Sequence, residues 1–295
     1  MIPKLKTRPL GFGLHEVSCV GLGGMPLSIP ARPDEKTAIR VIHASLDNGV
    51  TLIDTADVYC LDDGEIGHNE RLVAKALKRW SGDQDSITIA TKGGLTRPGG
   101  EWGRDGRPEH IKRACARSLI ALGVEQIKLY QYHAPDARVP FLDSVGALRD
   151  LQKEGKIKHI GLSNVSVDQI KEAETIATVC TIQNRLNPFF REAIEEGVLD
   201  YCEQRGLGFL AYSPVGGGRL NKKLPSHPVV HEIAERRGTS EHSIVLAWVL
   251  ARSPRVIIIP GARRVESAVD SAMVADLSLA DDDLQRITDA EFSKA

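Results

Sequence analysis

No apolar run in this chain approaches the length of a bilayer span, and the opening Met-Ile-Pro-Lys-Leu-Lys lacks the apolar stretch of a secretory signal. A cytoplasmic protein without membrane contact is expected. The five cysteines (Cys19, Cys60, Cys115, Cys180, Cys202) are odd in number, scattered and without CxxC spacing, which excludes a disulfide framework and points to reduced structural thiols. Lys plus Arg (38) balances Asp plus Glu (39), and no basic stripe is interleaved with the sparse aromatics, so a nucleic-acid face is not expected. Ligand spacing of the HxH type is also missing. That counts against a metal-dependent hydrolase using Asp54 and His133, and no metal is expected. No linker, composition shift or low-complexity tract divides the chain, so residues 1–295 read as one domain.

What the chain does have is an eightfold alternation of short aliphatic runs, polar or glycine-rich loops and segments of helical period. The runs are Val17 to Gly21, Val50 to Asp54, Ile87 to Thr91, Lys128 to Tyr132, Ile157 to Leu162, Thr178 to Ile182, Gly208 to Tyr212 and Val256 to Ile259. Most are continuously hydrophobic, as parallel strands buried on both faces must be. Helices are expected from the Asp34 cap to Asn48, with Gly49 as stop, and from Pro108. Others are expected over Asn69 to Trp80, Pro140 to Glu154, Val167 to Ala177, Ala193 to Arg205 and Glu241 to Arg252. Eight strands joined by right-handed crossovers favour a closed α/β structure, a (β/α)8 TIM barrel. Pro9, Gly11 and Gly13 among apolar residues make Arg8 to Gly13 a hairpin that would close the barrel bottom.

In such a barrel the chemistry gathers where the strands end. The second run ends in Asp54, with Tyr59 a turn later; the third is followed by Lys92 and the fourth by His133. A phenol needs a nearby cation to become a useful acid near neutrality, and Lys92 can supply one. A buried lysine needs a carboxylate in turn, and Asp54 is adjacent. His133 could bond the same substrate oxygen. Each residue alone is more often a cap, a rim group or a structural side chain, but four on consecutive strand ends make a site. Gly21-Leu22-Gly23-Gly24 is not followed by the third glycine of a dinucleotide fingerprint and reads as close packing at the mouth. Gly216-Gly217-Gly218 follows the seventh strand, where barrels often bind phosphate.

Seven motifs in order, TLIDTADVY, ATKGG, YQYHAPD, GKIKHIGLSN, TIQNRLNPF, FLAYSPVGGG and IIIPGARR, make the chain resemble the aldo-keto reductases over nearly its full length. The resemblance implies a nicotinamide-dependent oxidoreductase acting on a small aldehyde, ketone or alcohol. Tyr59 would be the general acid, its pKa depressed by Lys92 with Asp54, and His133 would orient the carbonyl. Ser163, Asn164 and Gln183 would hold the nicotinamide carboxamide and Tyr212 would stack on the ring. Ser213, Pro214, Gly216, Gly218 and Leu220 would carry the pyrophosphate. Pro260, Gly261, Arg263 and Ser267 would line the adenosine end, with Arg263 on the 2'-phosphate that distinguishes NADPH from NADH. Cys60 stands where the family commonly has glycine, and Ser271 where an adenine-contacting asparagine is usual, which leaves NADH an alternative. Met25, Asp57 and Trp102 are expected to shape the substrate pocket. A regulatory or interaction protein of the same fold is the alternative of a different class, and the intact Asp-Tyr-Lys-His set argues against it.

Overall fold

The computed structural model describes residues 2–294. Eight parallel strands form one sheet: β3 (Leu22–Gly23), β4 (Leu52–Asp54), β5 (Thr88–Gly93), β8 (Ile127–Tyr132), β9 (Ile157–Ser163), β10 (Val179–Arg185), β11 (Gly208–Tyr212) and β12 (Val256–Ile259). They pair in chain order, and the sheet closes on itself where Val20 bridges Ile258 and Gly23 bridges Gly261. Gly21 N donates to Ile258 O at 2.8 Å and Gly23 N to Pro260 O at 2.9 Å. Glycine is required at this seam, because a Cβ on Gly23 would stand 2.6 Å from Ile259 O and one on Gly24 2.9 Å from Asp54 O. The glycine-rich run is thus close packing, as expected.

Helices return the chain between strands: α1 (Glu35–Asp47), α2 (His68–Arg79), α3 (Pro108–Leu122), α4 (Phe141–Lys153), α5 (Val167–Glu174), α6 (Glu192–Glu195) and α7 (Val198–Arg205). After β11 follow α8 (Gly217–Leu220), α9 (Pro228–Arg237) and α10 (Glu241–Leu250), and after β12 follow α11 (Val265–Met273) and α12 (Asp281–Asp289). The Asp34 carboxylate caps α1 by accepting from Thr37 N, and Ser166 and Gln169 form a reciprocal capping box on α5. The helix expected over Ala193 to Arg205 is two pieces, because Gly197 takes a φ of 74° between them. Helices α8, α9, α11 and α12 lie outside the sequence expectation.

Leu52, Ala90, Leu129, Leu210, Ile257 and Ile259 fill the barrel, and Leu10 joins them from below. A larger apolar layer lies between barrel and helices. Leu10 belongs to a hairpin of β1 (Thr7–Pro9) and β2 (Glu16–Ser18) that closes the barrel bottom. The close approach is visible at Gly208 and Gly11, whose Cβ atoms would lie 2.3 Å from Leu10 O and 2.1 Å from Cys180 O.

Two expectations need correction here. The first barrel strand is not Val17 to Gly21: Val17 pairs with Arg8 in the hairpin, and pairing with β4 begins only at Leu22. The Val-Ser-Cys-Val run serves two sheets in succession, a switch that local hydrophobicity does not mark. The hairpin is also wider than Arg8 to Gly13, its returning strand reaching Ser18.

Candidate active site

Lys92 lies within β5, one strand from Asp54 at the end of β4, and both side chains turn into the upper barrel. Lys92 is completely closed to solvent. Its Nζ donates to Asp54 Oδ1 at 2.6 Å, to Thr55 O at 2.9 Å and to Tyr59 Oη at 2.9 Å, so all three ammonium protons are used. Burial works against the lysine charge, but Asp54 and Tyr59 outweigh it and raise its pKa. Tyr59 follows a tight turn in which its N donates to Ala56 O, and Ala56, Val58 and Met25 pack around the ring.

The tyrosine departs from expectation in one respect. Lys92 does pull its pKa down, yet burial pulls harder in the other direction and Asp54 adds to it, leaving the phenol pushed up to about 12. Tyr59 is thus protonated throughout the neutral range. His133 meets Tyr59 edge-on, ring centroids 5.8 Å apart. Burial, with Lys92 adding to it, holds its pKa well below the usual histidine value, so the imidazole is neutral. Its backbone is pinned on both sides, with its N on Gly93 O at 2.9 Å and its O accepting from Asn164 Nδ2 at 2.9 Å.

Above these groups opens a cavity of about 860 Å³. Asp54, Tyr59 and His133 form its floor together with Ser163, Asn164 and Gln183, while Lys92 stays behind the wall. Tyr212 lies alongside, its hydroxyl donating to Asn164 Oδ1 at 2.7 Å. Asn164 (φ 59°) and Ser213 (φ 48°) both hold left-handed backbone, a strain that non-glycine residues keep only where surroundings enforce it. For Ser213 the enforcing groups are visible: its O accepts from Asn187 Nδ2 at 2.9 Å and from Gly216 N at 2.9 Å.

Farther along, the cavity passes Ser213, Pro214, Gly217 and Gly218, then Pro260, Gly261, Arg263 and Ser267. Gly216 and Leu220, expected here, are not on its wall: Gly216 caps α8 in left-handed conformation and Leu220 is buried. Arg263 spans the mouth, its Nε donating to Pro26 O at 3.2 Å and its Nη2 to Pro30 O at 3.1 Å. Sequence reasoning missed Asn221, Ser240, His242, Glu266 and Asp270 on this wall. Only the N-cap pattern at Ser240 hinted at one of them, since Ser240 accepts from Ser243 N at the start of α10. Ser271 also lines this end.

Of the residues expected at the substrate end, Met25 and Trp102 line the cavity. Trp102 stands on a hairpin of β6 (Leu95–Thr96) and β7 (Gly103–Arg104) and lies over the Arg97 guanidinium at 4.0 Å. Asp57 does not line it. The residue is wholly buried below, because its N and O bond to Lys92 O (3.4 Å) and Gly67 N (2.7 Å) and turn the side chain inward. Cys60 is buried too, with its Sγ on Val58 O at 3.3 Å and its thiol pKa pushed up to about 11 by burial, so it is not a nucleophile. Among the described residues no cluster of three or more His, Cys, Asp or Glu could hold a metal.

The sequence profile of the Aldo/keto reductase family matches residues 19–291, from the barrel seam to beyond the last helix. This chain belongs to that family. An uncharacterized oxidoreductase of Schizosaccharomyces pombe is 35% identical over 271 residues, covering 92% of this chain and 82% of the relative. A glycerol dehydrogenase from Gluconobacter oxydans superposes with a TM-score of 0.83 at 31% identity, over 96% of this chain and 94% of that one. An aldo/keto reductase from Klebsiella pneumoniae, solved with NADP and acetate, gives a TM-score of 0.80 at 27% identity, again over 96% and 94% of the two chains. The aldo/keto reductase described here is accordingly an oxidoreductase with the (β/α)8 architecture of those neighbours.

Proposed function

We propose that this aldo/keto reductase reduces the carbonyl group of small aldehydes or ketones with NADPH, Tyr59 supplying the proton. The observation that carries the reading is the buried chain Asp54–Lys92–Tyr59, with contacts of 2.6 and 2.9 Å, ending at a hydroxyl on a cavity floor.

The cavity suits a dinucleotide in extent, and its middle section offers backbone at Ser213 and Gly217 rather than bulky side chains. Ser163, Asn164, Gln183 and Tyr212 would hold the nicotinamide, residues 213–218 the pyrophosphate and Arg263 the 2'-phosphate. That NADP accompanies the Klebsiella protein supports the assignment. When bound, the cofactor supplies a hydride to the carbonyl carbon. Tyr59 meets the charge that appears on the oxygen with its proton; an alkoxide is a stronger base than a phenolate, so the transfer runs downhill even from a phenol of pKa about 12. The phenolate left behind faces the Lys92 ammonium at 2.9 Å, which stabilises it. Neutral His133 contributes a ring nitrogen as hydrogen-bond partner for the carbonyl oxygen. The reverse oxidation of an alcohol uses the same groups.

The decisive experiment follows NADPH absorbance with the purified protein across aromatic aldehydes, short aliphatic aldehydes and sugars. Consumption that depends on both substrate and Tyr59 is expected. Tight NADPH binding without turnover of any carbonyl or alcohol would replace the reductase reading with a cofactor-binding regulatory one. The compartment is proposed to be the cytoplasm; no helix among the described residues is long and apolar enough to cross a membrane.

A further inference from the structure

Asp54 has a second carboxylate oxygen, and the groups around it carry information of their own. Oδ2 accepts from Gln183 Nε2 at 2.7 Å and, more distantly, from Gln131 Nε2 at 3.4 Å. A carboxylate only accepts hydrogen bonds, so both amides must turn their NH2 groups toward it. The second hydrogen of Gln183 Nε2 has its own acceptor, Gln131 Oε1 at 3.3 Å. Both donor hydrogens of Gln183 are thereby engaged inside the barrel. Its carbonyl oxygen alone is left for the cavity, which Gln183 lines and Gln131 does not.

Gln131 is completely buried in β8, opposite Lys92 on one side and Gly161 on the other. Space for it depends on that glycine: a Cβ at 161 would lie 2.7 Å from Gln131 Cγ and 2.3 Å from Thr181 Oγ1. An uncharged amide with no access to substrate, seated against a glycine and joined both to Asp54 at the inner end of the relay and to Gln183 beside it, has a geometric task.

We propose that Gln131 is a positioning residue: with Asp54 it locks the Gln183 carboxamide in one orientation, so that the site accepts a hydrogen bond from its ligand there and offers none. Resting on the NADPH reading above, this makes the NH2 of the nicotinamide carboxamide the group that is recognised. A ligand carrying only an acceptor at that place leaves a buried carbonyl oxygen of Gln183 unpaired. The same lock ties the relay to the cofactor wall, since Gln183, Asp54, Lys92 and Tyr59 form one unbroken line of hydrogen bonds.

The test compares dissociation constants, by fluorescence quenching, of NADP+ and its 3-acetylpyridine analogue, whose methyl ketone keeps the acceptor and lacks the donor. The wild-type protein is expected to bind NADP+ about tenfold more tightly, the usual consequence of one unpaired buried polar group. In Gln131→Met, which removes the acceptor at nearly constant volume, one hydrogen of Gln183 Nε2 stays on Asp54 while the other loses its partner and becomes available to the ketone. The preference should then shrink to about threefold or less. Gln131→Asn, which withdraws the amide by one methylene, gives the same answer should the methionine variant not fold. A merely structural role for Gln131 would weaken both ligands alike and leave the ratio unchanged. An unchanged ratio, or equal binding of both ligands by the wild type, overturns the proposal while the NADPH reading stands. A wild-type protein that binds neither overturns both.

Discussion

Lys92 holds its ammonium 2.9 Å from the Tyr59 hydroxyl while being wholly shut off from solvent. The contact sets two opposing effects against each other at one oxygen. Burial makes the phenolate costly and the ammonium makes it cheaper, and in the resting protein burial wins. On the proposed reading the tyrosine begins each turnover protonated, and the lysine acts on the phenolate that would remain after transfer. Tyr59→Phe keeps the ring and its packing against Val58 and Met25. Turnover should fall by roughly 100- to 10,000-fold, the ordinary contribution of a positioned acid, with cofactor affinity nearly unchanged. Single-turnover rates and cofactor titration separate the two. Retention of most activity in this variant, with loss in a His133 variant, would transfer the acid role to the histidine.

The Asp54–Lys92 pair is buried on both sides, with side-chain exposures of 4% and 0%. Asp54→Asn leaves Lys92 without a counter-charge, which costs about 3–5 kcal/mol or drives the lysine neutral. Both routes remove the cation that faces the phenolate. Lower turnover together with a lower denaturation midpoint is expected; wild-type values for both would show that the pairing is dispensable.

Arg263 bonds two carbonyls of the loop after β3, so its charge is held at the cavity mouth rather than free in solvent. If it meets the 2'-phosphate, Arg263→Ala should weaken NADPH by about tenfold or more and leave NADH nearly unaffected. Isothermal titration with both cofactors measures this. Equal losses would assign Arg263 to loop closure alone and direct attention to Arg264.

Asp57 has neither carboxylate oxygen hydrogen-bonded, stands beside Glu70 and sees Arg117 only at 3.6 Å. Burial, then Glu70, pushes its pKa up to about 8 against an ordinary 3.8. The folded protein holds this proton more firmly than the unfolded chain, so stability falls as pH climbs from 3.8 toward 8 and levels off above. The slope is on the order of 1 kcal/mol per pH unit within that window. Asp57→Asn imitates the protonated form and lacks this slope. Thermal unfolding of both proteins between about pH 6 and pH 8 should show the variant gaining on the wild type as pH rises. Parallel curves would mean that Asp57 ionises without cost.

The four residues expected on consecutive strand ends are the four that converge. Asp54 and Lys92 lie at or near the ends of parallel strands buried on both faces, and such strands announce themselves as unbroken aliphatic runs whose first polar residue marks the mouth. The seven motifs that resemble the family identified the chain for the same reason: each is a strand with its end. Asp57 shows where this reasoning fails. It lies in the same loop as Tyr59, and only the hydrogen bonds of its backbone to Lys92 and Gly67 decide that its side chain turns inward. The split of the first strand is a second case, because Val17 and Leu22 are equally hydrophobic and differ only in which distant strand receives them.

Seven of the eight barrel strands, the barrel, the four polar residues that meet at its mouth and the glycines of the seam were determined by the sequence alone, since periodicity and residue type act over a few positions and leave local traces. The tertiary structure decided the rest. Gln183 and Asp54 are 129 residues apart in the chain yet share a hydrogen bond of 2.7 Å, and that contact exists because barrel closure brings their strands around one axis. The net pKa of Tyr59 depends likewise on how completely water is excluded, and the end of the cavity beyond Arg263 on where α10 and α11 meet the loop after β12. Desolvation and long-range approach are properties of the closed barrel, and no short stretch of sequence carries them.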